Sequence, residues 1–327
     1  SSIALQCARP EGKTVSDWRT QFDDLQARRP DLAERVCRRL LQDMQRRGVV
    51  DFDTLDDQIA AVLKLSAFRR ELDPNRPKPK LPHHSHQALR DLALDYAERH
   101  MKPEEISATI LRVEKTYLAY EGARMAEDPD TPIPALRDKI REFLDFAPGE
   151  AEAPPEDVLG TRAALVRRLL TDHLDFISVA KRYIKVLEFG DVLDHIIPTD
   201  GNQGRLGGKA AGLILANSIL LRAREDGRFR GDYLIPTSYF LPSNGILEFM
   251  EYNGLEDLIN VKYKPIEEVR EEFPLLERLF KGGSLPPTIR RGLESMLQQI
   301  GEGPLVIRSS SLLEDRIGHA FSGKYKS

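Results

Sequence analysis

GRLGGKAAGL, residues 204–213, marks the point where one pattern of sequence gives way to another. Gly207 and Gly208 let a backbone bend sharply and approach a ligand closely. Lys209 follows at once. Leu213, Ala216, Asn217, Leu220 and Leu221 then recur at helical spacing, so the stretch reads as a turn opening a helix over 208–226. The start of a helix carries unpaired N–H groups and the positive end of the helix dipole, and both favour an anion. A lysine in the first turn adds a full charge there, which makes Gly207, Gly208 and Lys209 candidate phosphate-binding residues. Two common nucleotide-binding patterns do not fit. The P-loop needs a glycine where Gln203 stands and a hydroxyl where Ala210 stands. No strand–GxGxxG–helix register fits 201–208 either. A plain glycine-capped turn with a solvated lysine suits the same residues, and motif shape alone does not separate the two readings.

Upstream of this stretch the pattern is helical. In 31–47 the apolar residues Leu32, Ala33, Val36, Cys37, Leu40, Leu41 and Met44 fall on one helical face, and Gly48 supplies a stop. Thr54 and Asp57 resemble a capping box for a further helix carrying Leu55, Ile59, Val62, Leu63 and Phe68. A proline-rich break, DPNRPKPKLP, spans 73–82, and helices are predicted over 86–101, 103–126 and 134–146. A second break, APGEAEAPP at 147–155, reads as an acidic surface linker. A helix or helix pair is expected over 156–189, with Leu165, Leu169, Phe176, Val179, Tyr183 and Leu187 on its buried side.

After residue 190, β-like runs enter: 195–198, 233–241 and 304–308, with helical patterns between them at 243–253, 265–281 and 286–300. Alternation of this kind predicts an α/β or α+β lobe. The last run leads into the second cluster of interest, LVIRSSSLLED at 305–315, about a hundred residues beyond the first. Leu305–Ile307 reads as a buried strand with Arg308 at its end and Ser309, Ser310 and Ser311 after it. Arginine offers a planar fork matched to phosphate oxygens, and the serines add hydroxyl and backbone donors. Glu314 and Asp315 follow, able to hold Arg308 or Lys209 in place or to approach a metal. A serine run capping a helix, with a solvated acidic pair, is the plainer alternative.

Taken in order, GGKAAGL at 207–213, LIPTSYF at 234–240, VIRSSSLLED at 306–315 and AFSGKYKS at 320–327 resemble the opening of the ATP-binding domain of the phosphoenolpyruvate synthase (pyruvate, water dikinase) and pyruvate phosphate dikinase family. Its usual pattern is G-G-K-x-x-x-L, V-P-x-x-F, V-R-S-S-A-T-x-E-D and S-F-A-G-Q-x-x-T. The resemblance covers about 200–327. The patterning upstream and this resemblance together predict an α+β chain: a helical domain over 1–148 and a linker and connecting helix over 149–190, both read from the sequence pattern, and over 191–327 the partial ATP-grasp-like α/β lobe that the resemblance implies. The resemblance further implies that Gly207, Gly208, Lys209, Arg308, Ser309 and Ser310 contact ATP phosphates. Gly323 and Lys324 would lie in a loop closing over the terminal phosphates, and Glu314 and Asp315 would support the site. ATP and Mg2+ are the implied cofactors. ATP would phosphorylate a histidine on a separate domain, for transfer to pyruvate or another small acceptor.

Ser311 and Leu312 stand where the family has Ala-Thr, and Ser322 and Lys324 where it has Ala and Gln. With the sequence ending at Ser327, the remainder of the nucleotide fold, the histidine domain and the barrel are expected to be lacking. No catalytic residue is assigned within it, and it is expected to be inactive alone. The alternative is a helical interaction or regulatory module fused to a degenerate nucleotide-binding lobe, with a protein partner for the helical region.

Composition bounds these readings. The chain has 327 residues with 48 Lys and Arg against 52 Asp and Glu, a net charge of −4, which argues against a nucleic-acid partner. No apolar run reaches membrane-spanning length, and only Cys7 and Cys37 are present, so a reducing cytoplasm is the expected compartment. His83, His84 and His86 lack neighbouring acids and read as a helix entry rather than a metal site.

Overall fold

A computed structural model of the chain describes residues 17–50, 83–146, 155–201 and 204–310. It divides into two compact units that meet between Tyr117 and Leu118.

The first unit contains α1 (Trp18–Arg28), α2 (Pro30–Arg46), α3 (His83–His100) and α4 (Pro103–Glu127) as far as Tyr117. Pro30 sits at the first turn of α2, where its missing N–H costs nothing, and Asp31 complements the helix dipole. The helix ends at Arg46, and Gly48 turns the chain with φ 72°. All seven apolar residues predicted for the inner face of α2 are buried. They meet Phe22 and Leu25 of α1, Ala93 and Ala97 of α3, and Ile106 and Ile110 of α4. Cys37 lies on that face, and burial pushes its thiol up to about 12, so it packs as a small apolar group. The outer arginines are balanced by acids. Asp43 receives Arg112 at 2.9 Å and Arg39 and Arg46 at 3.5 Å, and Arg47 pairs with Glu105 at 2.9 Å.

The second unit continues α4 and adds α5 (Ile133–Phe146), α6 (Pro155–Leu169), α7 (Leu174–Tyr183), α8 (Val186–Asp194), α9 (Gly208–Glu225), α10 (Gly245–Tyr252), a 3₁₀-helix (Glu256–Tyr263), α11 (Ile266–Gly282) and α12 (Pro287–Ile300). Its core joins Leu136, Ile140 and Phe143 of α5 to Leu165 and Leu169 of α6, Phe189 and Leu193 of α8, and Ala210, Ala211 and Ile214 of α9. Over 156–189 the expected face is only partly right. Leu165 and Leu169 are buried, but Val179 and Leu187 are exposed, and Ile177, Ala180 and Phe189 take the inner places. The chain leaves the helix after Leu169 and again after Tyr183, and each break resets the helical phase.

The expected α+β class, with a partial ATP-grasp-like α/β lobe, is overturned: among the described residues there are helices but no strand and no sheet. The runs at 195–198 and 233–241 do approach each other, through a single parallel bridge between Ile196 and Phe240. Ile197 N–H donates to Phe240 O at 2.8 Å and Phe240 N–H to His195 O at 3.0 Å. Pro242 then lacks the N–H that would donate to Ile197 O and continue a ladder. Leu305–Ile307 lies open to solvent, with Val306 83% and Ile307 87% exposed, so the buried strand expected there is not formed. A helix satisfies its own backbone, whereas a strand exists only beside another.

The linker at 147–154, the break at 73–82, Cys7 and the helix expected around 54–68 lie outside the described residues. No described helix is long and apolar enough to cross a membrane.

Candidate functional site

The site forms where α9 begins. Gly207 precedes the helix with φ 84° and ψ 175°, a conformation that suits glycine and strains any residue with a side chain. Space makes the same demand: a Cβ at Gly207 would stand 1.7 Å from the carbonyl oxygen of Ser310. The first turn holds no acidic residue, so the positive end of the helix dipole is not offset there.

The second cluster lies against this turn. The Ser310 hydroxyl accepts the Ala210 N–H at 3.2 Å, serving one of the donors left over at a helix start. The Lys209 ammonium donates to the Ser309 carbonyl at 3.1 Å. Gly207, Lys209, Ser309 and Ser310 therefore lie together, although a hundred positions separate the two clusters. Gly208 is the first residue of α9. Arg308 is exposed and makes no side-chain bond or ion pair among the described residues. Glu314, Asp315, Gly323 and Lys324 lie outside the described residues.

Residues that motif reading did not find hold α9 in place. Leu206 is buried and its N–H donates to Leu169 O at 2.9 Å, which ties the approach to α9 to the end of α6. Arg205 pairs with Asp172 at 3.0 Å, and its guanidinium holds that carboxyl below the usual carboxylate range. Farther along α9, Glu188 of α8 accepts the Ser218 hydroxyl at 2.8 Å and the Lys185 backbone N–H at 3.0 Å, and it pairs with Arg222. The Glu188 and Arg222 side chains are each only 15% exposed. A largely buried ion pair is costly to break from one side, so it helps to fix the helix, together with the Glu225 carboxylate that Arg222 also meets at 3.0 Å. Nothing in the sequence pointed to Glu188, because its partners on α9 lie 30 and 34 residues away.

Such a site can receive an anion. Glycine allows close backbone approach, the helix start supplies donors and partial positive charge, and Lys209 supplies a cation. No group of three or more His, Cys, Asp or Glu residues among the described residues is placed to hold a metal, so they offer no ligand set for the Mg2+ that the resemblance implies.

Residues 203–327 match the family model of the pyruvate phosphate dikinase AMP/ATP-binding domain. No curated protein and no solved structure matches the chain.

Proposed function

We propose that the segment matched to the pyruvate phosphate dikinase AMP/ATP-binding domain receives the phosphates of ATP at the start of α9, as the nucleotide-binding part of a dikinase-type phosphotransferase. The observation that carries this reading is the meeting of Gly207 and Lys209 with Ser309 and Ser310 across a hundred residues of sequence. In it, Gly207 lets the Ser310 backbone come against the start of α9, Gly208 keeps the first turn free of a side chain, and Lys209 neutralises phosphate charge. Arg308 adds a second cation, and Ser309 and Ser310 donate hydrogen bonds. Glu314 and Asp315 support the cations, and Gly323 and Lys324 close over the terminal phosphates. Phosphoryl transfer depends mainly on such positioning and charge neutralisation. The reaction class implies Mg2+ with the nucleotide, and this reading assigns it no protein ligand. A histidine on a separate domain receives the phosphoryl group, and pyruvate or another small molecule is the final acceptor.

Titration with a fluorescent ATP analogue tests the assignment. Lys209→Ala and Arg308→Ala should each weaken binding by about tenfold or more, as expected for removing a charged phosphate contact. Unchanged affinity in both variants would sink the assignment.

The alternative, in which the helical region is a module serving a protein partner, draws support from the first unit's own buried core. Capture of a defined partner by the full chain, lost on substituting exposed residues of α1–α3 and kept in Lys209→Ala, would favour it.

A further inference from the structure

We propose that Asn244 and Glu248, at the start of α10, are positioning residues for the nucleotide site: they fix the backbone of 199–201 and confine Gly204, on the approach that delivers Gly207 and Lys209 to α9. The proposal rests on the ATP reading above.

Three of the five contacts join a side chain to backbone. One Glu248 carboxylate oxygen accepts the Asp200 N–H at 2.9 Å, and the other accepts the Gly201 N–H at 2.6 Å. The Asn244 amide nitrogen faces three acceptors: Thr199 Oγ1 at 2.9 Å, Gly201 O at 3.1 Å and Glu248 Oε1 at 2.8 Å. Three acceptors around one atom fix which end of the amide is nitrogen. The amide oxygen thereby faces Gly204. A Cβ at Gly204 would stand 1.8 Å from that oxygen and 2.5 Å from Pro242 Cβ, so glycine is required where the segment passes α10. The same amide oxygen is buried and has no hydrogen-bond partner among the described residues. Ser243 completes the grip: its N–H donates to Arg205 O at 2.9 Å, and its hydroxyl accepts the Arg205 N–H at 3.1 Å. From Arg205 the chain enters Leu206, anchored to α6, and then Gly207 and Lys209.

This arrangement has little to offer the core. Asp200 and Gly201 are exposed, and hydrogen bonds at a wet surface add little net stability. What the bonds supply is a single backbone path. Holding a binding loop in its bound shape before the ligand arrives lowers the entropy lost on binding. Gln at position 248 would keep one acceptor oxygen and turn an NH2 group toward the other backbone N–H.

The test is ATP titration of the full chain, alongside hydrogen exchange of the Asp200 and Gly201 amides. Glu248→Ala should weaken ATP binding by about tenfold, and Glu248→Gln by less, as graded losses of preorganisation. Both variants should speed exchange at Asp200 and Gly201 while leaving the protection of the buried α6 and α8 amides unchanged, a pattern that general destabilisation would not give. Native exchange at Asp200 and Gly201 in Glu248→Ala overturns the proposal. So does native ATP affinity in that variant when Lys209→Ala has lost binding. Failure of the unmodified chain to bind ATP removes the nucleotide reading and the positioning role together, and that titration alone tells the two failures apart.

Discussion

Helices α2 and α11 have the same length, 17 residues, and both carry their apolar side chains along one face, yet α2 buries seven residues and α11 buries none. α2 lies between α1 and α3, which fill the space over its apolar face. On α11, Phe273 is 58% and Leu275 60% exposed, and its Phe280 ring finds a stacked partner in Phe249 of α10 at 5.8 Å. Amphipathicity is thus a capacity for burial, and a neighbouring element turns that capacity into stability. The start of α9 stands between these extremes. Its inner face is buried through Ala210, Ala211 and Ile214, while its outer end faces the Ser309–Ser310 segment through polar contacts.

The sharpest contrast comes from truncating one side chain on each helix. Leu40→Ala should cost about 2–5 kcal/mol in the unfolding transition of the first unit, because a cavity replaces a fully buried leucine. Phe273→Ala should stay within about 0.5 kcal/mol, as for an exposed position. Urea unfolding followed by circular dichroism measures both, and equal losses would break the comparison. Within the second unit, Glu188→Ala removes one partner each of Arg222 and Ser218 and the side-chain acceptor of the Lys185 N–H, while Arg222 keeps Glu225 and Ser218 keeps Ile214 O, and a loss of about 1–3 kcal/mol is expected. A smaller loss in the same assay would mean that α9 is held without Glu188, by its apolar face and its remaining polar contacts. Gly207→Ala should cost about 1–2 kcal/mol through its positive φ, and the added methyl should displace Ser310. Thermal unfolding reads the first effect, and faster exchange of the Ala210 amide reads the second.

The smallest effect concerns Asp172 and Arg205, a surface pair. Arg205 lowers the Asp172 pKa, so the folded state is favoured while the carboxylate is charged. The contribution is present at neutral pH, persists through the ordinary carboxylate range, and is lost as pH falls through the lowered Asp172 value. Asp172→Asn should therefore shift the melting temperature slightly at neutral pH and not at all in strong acid. A shift of equal size at both would contradict the assignment.

Helices were readable in this sequence because each one states its own period. The bounds of α2, α4, α9, α11 and α12 fall within about two residues of those expected, the usual uncertainty of helix ends. The strands were not readable in the same sense. Leu305–Ile307 has the composition of a buried strand, but composition does not supply a neighbour, and Val306 and Ile307 lie exposed. For the candidate site, Gly207, Lys209, Ser309 and Ser310 stood out as residue types suited to phosphate, and they lie within the matched range 203–327. Glu188, Asn244 and Glu248 were not legible. Each acts on backbone or side chains 30 to 48 residues away, and no local spacing encodes that.

The central claim is that the glycine–lysine turn and the serine segment form one phosphate site. Amide resonances of Gly208, Lys209, Ala210, Ser309 and Ser310, followed while ATP is titrated into the full chain, test it most directly. The account predicts that both clusters shift together with one shared midpoint, and that Lys209→Ala moves that midpoint to higher ATP for both. Shifts confined to one cluster, or two clusters titrating with separate midpoints, would contradict it.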